Sequence, residues 1–394
     1  MRLHRWTVRH ALHSASIPAA RRSTPAARFW RHFTGPLPRR PIWVSALTPA
    51  ADVSRAGRRI VFPAIRHAAW EYLAAPKPEL LGPRQVLLRT AATLVSAGTE
   101  LAIYSGSHIG YSIPGSTYPR MPHHPGYSLA GTVEVVGAEV RELAPGDRIA
   151  ASASHASWVS VDLDRAPWAR LPDGVTPEQG ALARLAGIAM QGVRLASVRL
   201  GDGIAVFGQG LIGQFARQLA ALDGAATTIG VDLIDARLQT ARHHGATHTI
   251  NPSEEGALDG IMRLTDGRGV QVAIEATGSP TVIDTALKSA ADLGRVILLG
   301  SPRGRLEIDP YSDIHRKGVS VIGAHARTAD LPDSPTLRWN TVEQLRLCVE
   351  LMRQGRLCTD GLVTHHVPAD QALGVFDALM NHPQDHLGVV IDWR

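Results

Sequence analysis

Gly203-Ile-Ala-Val-Phe-Gly-Gln-Gly-Leu-Ile-Gly213 reads as an apolar strand running into Gly208-x-Gly210-x-x-Gly213 and then into a helical pattern. Each glycine has a physical task. Gly208 permits a tight turn, Gly210 lets the backbone approach a pyrophosphate, and Gly213 lets the helix pack against the strand. The free N–H groups of the helix N-terminus then face the phosphates. Asp232 follows 19 residues after the last glycine, at the end of a second apolar strand. A carboxylate at that distance accepts hydrogen bonds from the hydroxyls of an adenosine ribose. A glycine-rich turn with no ligand would not explain the acid, so the stretch predicts a bound dinucleotide.

Outward from this turn, residues 190–326 alternate between strand and helix patterns. Strands are expected at Ile204–Phe207, Thr228–Asp232, His248–Ile250, Val270–Glu275, Arg295–Leu299 and Val319–Gly323. Helical runs fall at Leu211–Leu222, Asp235–His244 and Thr281–Ala291. That order predicts an α/β fold with a doubly wound parallel sheet of Rossmann type. Residues 59–189 read instead as β-rich, with strand-like runs at Val86–Thr90, Thr132–Val136 and Ser157–Val161. Residues 327–394 return to mixed structure, with a helix at Val342–Arg353 and a closing strand at Gly388–Asp392. A β-rich domain split around an inserted nucleotide-binding domain accounts for the order.

The net charge of +6 is unevenly placed. Residues 1–59 hold twelve arginines against one acid, Asp52, so the remaining 335 residues carry −5. The basic character therefore does not predict a nucleic-acid-binding body. Residues 1–58 are rich in Arg, Ala, Ser and Pro, and form an Arg-rich extension to the fold. Three readings remain open: a transit peptide, an upstream stretch outside the working protein, or a disordered tail. No long apolar run predicts a membrane span, so the body is expected in the cytoplasm unless the extension targets it elsewhere. The two cysteines, Cys348 and Cys358, are too few for a disulfide framework or a four-cysteine zinc site.

Several stretches together resemble the medium-chain dehydrogenase/reductase superfamily, the relatives of zinc alcohol dehydrogenase. Ala97-Gly-Thr-Glu-Leu-Ala-Ile-Tyr104 resembles a Cys-Gly-Thr-Asp-Leu-His strand of that family, and Pro125-Gly-Tyr-Ser-Leu-Ala-Gly-Thr-Val133 resembles its Gly-His-Glu-x-x-Gly-x-Val. Leu171-Pro-Asp-Gly-Val175, the glycine turn, Val231-Asp-Leu233 and Glu275-Ala-Thr-Gly278 extend the likeness over residues 59–394. The resemblance implies a GroES-like catalytic domain (59–189 and 327–394) enclosing the Rossmann domain. It also implies a small-molecule substrate and a homodimer or homotetramer, with no nucleic-acid or membrane partner.

Departures from the family pattern are informative. The positions of its three catalytic zinc ligands are matched here by Ala97, Tyr127 and Arg184, and its four-cysteine lobe is replaced by a short Ala/Ser stretch. None of these is a zinc ligand, so no metal is expected. Ser96-Ala-Gly-Thr-Glu100, Pro125-Gly-Tyr-Ser128 and Leu387-Gly-Val-Val-Ile-Asp-Trp393 resemble a zinc-lacking branch. That branch includes bacteriochlorophyllide hydroxyethyl dehydrogenases and polyol- or sugar-type dehydrogenases.

The implied activity is NAD-dependent interconversion of a secondary alcohol and a ketone. Asp232 has no Arg or Lys beside it, so its charge favours a free 2′-hydroxyl over a 2′-phosphate. Cofactor contacts are expected from Gly208, Gly210, Leu211, Ile212, Gly213, Asp232, Arg237, Thr277 and Gly300. Arg237 has an alternative place on a solvated helix face. Without a metal, the proton and the developing alkoxide need side chains. Tyr127, Thr99, Glu100 and Arg184 are the candidates, with His108 and His325 in reserve. Tyr127 would exchange a proton if its pKa were lowered, and Arg184 would supply the lowering charge or bind an acidic substrate. Glu100 would act as base or orienter. Each has a structural alternative: cavity filling for Tyr127, backbone bonding for Thr99, an Arg partner for Glu100 and a solvated face for Arg184. Two other functions remain open, an enoyl or quinone reductase and a nucleotide-binding protein that has lost catalysis.

Overall fold

The computed structural model describes residues 57–74, 76–331 and 339–394, all within one compact unit. The Arg-rich extension up to residue 56 lies outside the described residues. Two strands, β1 (Gly57–Ala64) and β2 (His67–Leu73), form an antiparallel pair. β3 (Gln85–Leu94) leads into helix α1 (Ala97–Ser105), followed by β4 (Leu129–Val136), β5 (Arg148–Ala151), β6 (Trp158–Asp162) and β7 (Trp168–Arg170). Helix α2 (Pro177–Ala196) is opened by a capping box: Thr176 Oγ1 accepts from the Gln179 N–H and Gln179 Oε1 accepts from the Thr176 N–H.

Beyond α2 the sequence alternates as its periodicity predicts. The elements are β8 (Gly203–Phe207), α3 (Leu211–Asp223), β9 (Thr227–Val231), α4 (Asp235–His243), β10 (His248–Ile250), α5 (Ala257–Leu264), β11 (Val270–Glu275), α6 (Pro280–Ser289), β12 (Ala290–Leu298) and β13 (Ser320–Gly323). Their order across the sheet is β10-β9-β8-β11-β12-β13, all parallel. Strand order reverses on either side of β8, so a crevice opens at its carboxyl end, beside the glycine turn.

The chain then returns to the first sheet. After α7 (Thr341–Arg353) come β14 (His365–Pro368), α8 (Val375–Asn381) and β15 (Val389–Asp392). β15 pairs antiparallel with β3, placing the last and the first thirds of the body in one seven-stranded sheet. α2 joins the layers. Its buried Ala181, Leu185 and Ala189 share a core with Leu94 of β3, Val206 of β8, Phe215 of α3 and Val390 of β15. Among the described residues no helix is long and apolar enough to cross a membrane.

Two boundaries differ from the sequence expectation. Ala97–Tyr104, matched to a family strand, is helical. Glu100 Oε1 reaches back to the Ser96 N–H at 2.9 Å, and Gly106 closes the helix in the left-handed conformation at φ +79°. The apolar Ala102, Ile103 and Tyr104 bury one helical face rather than alternating. The helix expected to run to Ala291 stops at Ser289, and β12 begins at Ala290, earlier than Arg295.

Candidate active site

Helix α1 is fixed from its far end. Tyr104 lies in an aromatic cluster with Phe62 and Phe376, ring centroids 4.8–5.6 Å apart, and its hydroxyl donates to Asp377 at 3.0 Å. Such ring pairs are worth about 0.5–1.5 kcal/mol each beyond area burial. The helix therefore presents its first turn, Ser96 to Glu100, at a fixed place.

Tyr127 meets that turn. Its hydroxyl makes a short hydrogen bond with Ser96 Oγ, and Thr99 lies beside it. Burial pushes the Tyr127 phenol upward; Ser96, Thr99 and the charge of Arg184 pull it down, and the Glu100 charge pushes it up again. The net direction is upward. Arg184 does supply the expected lowering charge, but desolvation outweighs that cation, so the phenol is not lowered overall. Tyr127 is a protonated hydrogen-bond donor around neutral pH.

Arg184 does not lie on a solvated face. α2 carries it inward, where Nε donates to Ser152 Oγ at 3.2 Å, and burial lowers its pKa against the pull of Tyr127 and Asp330. Among the described residues Glu100 pairs with no arginine. Its Oε2 accepts from His155 Nε2 at 2.9 Å, with Glu100 2% and His155 0% exposed. Both Glu100 oxygens are thereby engaged with the protein, so Glu100 orients Ser96 and His155 rather than facing a substrate. Ser96 and His155 were missed by sequence reasoning. Gly126 gave a partial signal: its φ is +98°, and a Cβ there would lie 2.6 Å from the His155 nitrogen. His108 and His325 each accept a backbone N–H through Nδ1, from Gly110 and Arg327 respectively.

The cofactor crevice forms at the carboxyl ends of β8, β9, β11 and β12. At Gly213 an added Cβ would sit 1.7 Å from the Gly208 carbonyl oxygen, whereas at Gly210 nothing lies within 4 Å. The turn is closed on its inner side and open on the side where a phosphate belongs. α3 has no side-chain cap, and its first intrahelical N–H belongs to Gln214, leaving Leu211, Ile212 and Gly213 amides free. Asp232 accepts from the Gln209 N–H at 2.6 Å and the Ile234 N–H at 2.9 Å, with lone pairs remaining on both oxygens. Arg237 approaches it at 3.8 Å but donates to the Pro383 and His386 carbonyls at 2.9 and 3.2 Å, so it is an interdomain tie rather than a solvated group. Buried Glu275 gathers the Thr277 and Gly278 amides at 2.6 and 2.9 Å and also holds the Thr277 hydroxyl. The Thr277 methyl backs Gly208, and Gly300 packs against Gly278. These residues fit a dinucleotide.

Residues 82–186 match the family model described as alcohol dehydrogenase GroES-like domain, and residues 212–340 match that described as zinc-binding dehydrogenase. D-guloside 3-dehydrogenase of Shigella flexneri is 30% identical over 240 residues, 60% of this chain and 68% of that protein. The chain belongs to the medium-chain dehydrogenase/reductase superfamily. D-xylulose reductase of Saccharomyces cerevisiae is 24% identical over 349 residues, covering 80% of this chain and 92% of the relative. The crystal structure of 2R,3R-butanediol dehydrogenase from Bacillus subtilis superposes with a TM-score of 0.71 at 25% identity, over 85% of this chain and 99% of that one. The protein is a medium-chain oxidoreductase of the alcohol dehydrogenase type, with a nicotinamide cofactor.

Many members of this family hold zinc, and the donor set here does not fit one. The three matching positions present a methyl group (Ala97), a phenol bonded to Ser96 (Tyr127) and a guanidinium (Arg184). Among the described residues no three His, Cys, Asp or Glu side chains are grouped to hold a metal ion.

Proposed function

We propose that this protein is an NAD-dependent dehydrogenase that interconverts a secondary alcohol of polyol, sugar or hydroxyalkyl type and a ketone without zinc. One observation carries the reading. Where zinc-dependent relatives would place metal ligands, this chain sets the Tyr127 phenol against Ser96 and Thr99, beside the Arg184 guanidinium. The polyol and sugar dehydrogenases among its relatives support the substrate class, and Asp232 supports NAD over NADP.

The bound cofactor supplies one piece of chemistry, acceptance or donation of a hydride. The protein manages the proton. In ketone reduction the Tyr127 hydroxyl donates to the carbonyl oxygen and Ser96 and Thr99 hold the phenol in place. In alcohol oxidation the ionised phenol takes the hydroxyl proton. Glu100 acts through Ser96 and is a positioning residue. The Asp232 carboxylate receives the ribose hydroxyls, and the free amides of Leu211, Ile212 and Gly213 receive the pyrophosphate.

The test combines metal analysis with a cofactor and substrate screen of the purified protein. The expected result is polyol or hydroxyalkyl oxidation with NAD, undiminished by chelators, and no stoichiometric zinc. One tightly bound zinc per chain, or clear preference for NADP, would refute the corresponding part.

A further inference from the structure

Arg184 presents an unusual balance of charge. Among the described residues only its Nε has a hydrogen bond, to Ser152 Oγ at 3.2 Å. Among the described residues no carboxylate lies within ion-pair distance of its guanidinium. Asp330 attracts it but has its oxygens engaged by the Thr341 N–H at 2.9 Å and hydroxyl at 2.6 Å. Glu100, the acid whose charge acts on Tyr127, is engaged by Ser96 and His155. Arg184 is half-buried rather than fully sealed in protein.

A guanidinium carried into a site and left without an anion is costly to desolvate. Its fork geometry matches a carboxylate or phosphate bidentately. Tyr127, the proposed proton donor, is the neighbour whose charge state couples to it. The Ala151-Ser-Ala-Ser154 segment opposite carries only small side chains.

We propose that Arg184 is the recognition residue for an anionic substituent of the substrate, making the substrate a small secondary alcohol that carries a carboxylate or phosphate near the reacting carbon. The inference rests on the dehydrogenase reading above and sharpens it from alcohols in general to acidic ones.

The experiment pairs binding with turnover. Thermal shifts in the presence of NADH are measured with lactate, gluconate and glycerol 3-phosphate, against butane-2,3-diol and sorbitol as neutral probes. Oxidation of the same compounds by NAD is followed in parallel, and the first two against the third separate carboxylate from phosphate recognition. Wild-type protein is expected to be stabilised by at least one acidic probe and to prefer it over the neutral ones. Arg184→Met is expected to lose about 10²–10³-fold in kcat/KM for that acid, and Arg184→Lys, which keeps charge without the fork, to fall between. If Arg184→Met does not fold, the Lys variant and the wild-type preference carry the test. Neutral alcohols turned over as well as the acids, with no acid-induced shift, would overturn the inference and leave the dehydrogenase reading standing. An acid-induced shift lost in Arg184→Met or weakened in Arg184→Lys, without turnover of any probe, would keep the anion site and count against the dehydrogenase reading.

Discussion

Glu100 separates two roles that a buried acid can play, and substitution distinguishes them. Its oxygens accept from the Ser96 N–H at 2.9 Å and from His155 Nε2 at 2.9 Å. His155 Nδ1 already lacks a partner. Glu100→Ala would leave two donors buried without acceptors. Each such orphan costs about 1–3 kcal/mol, and breaking a buried ionisable pair costs about 3–5 kcal/mol. The expected destabilisation is therefore about 3–5 kcal/mol, a fall in Tm of roughly 6–15 °C for a domain of this class. Glu100→Gln keeps an oxygen for Ser96 and offers an N–H to the other tautomer of His155. Its expected cost is about 1 kcal/mol, with less than about tenfold lost in kcat because the carboxylate touches no substrate. Thermal and urea denaturation read the first quantity, steady-state kinetics the second. A Glu100→Gln protein with unchanged Tm and a 10³-fold loss in kcat would refute this reasoning and make Glu100 the base, an effect of about that size being what a positioned acid–base group supplies.

Tyr127→Phe is expected to lower kcat by about 10²–10⁴ with little change in Tm. Because burial raises the phenol above its ordinary value of 10.0, wild-type alcohol oxidation should rise about tenfold per pH unit up to at least pH 10, while ketone reduction stays flat below it; an oxidation plateau near pH 8 would exclude the phenol as base. Asp232→Ala should weaken NADH binding about 10²-fold, measured by fluorescence titration, since two charge-assisted bonds to the ribose are lost, and should narrow the gap to NADPH. Thiol titration of the folded protein should modify one cysteine quickly, the exposed Cys358, while Cys348, buried and with its thiol pushed far up, reacts only on unfolding.

The nucleotide-binding half was legible because backbone geometry dictates its residues. Gly213 has no room for a Cβ, and Gly208 sits at φ +89°. Its strands, covered on both faces, appear as unbroken apolar runs such as Ile204–Phe207. The catalytic half was less legible. α2 packs against several layers at once, so its Ala- and Gly-rich sequence shows no single apolar stripe. The Glu100–His155 contact joins residues 55 apart and has no local pattern. Ser96 resembles an ordinary helix cap, yet its hydroxyl turns to Tyr127 instead of the helix amides.

The arrangement also couples substrate charge to proton delivery. A catalytic metal both withdraws charge from the substrate oxygen and binds it. In the proposed reaction those tasks would fall to two side chains with opposite responses to burial: desolvation raises the Tyr127 phenol and lowers the Arg184 guanidinium. Unliganded, the guanidinium charge favours the phenolate, against burial and Glu100. An anion seated on Arg184 would cancel that influence and move the phenol further upward. An acidic ketone would thus reinforce the protonated state needed to reduce it, whereas an acidic alcohol would require a higher pH for its oxidation. The pH at which oxidation levels off should accordingly be higher for an acidic alcohol than for a neutral one. A lower value would mean that the substrate anion sits away from Arg184, for like charges brought together cannot ease ionisation of the phenol.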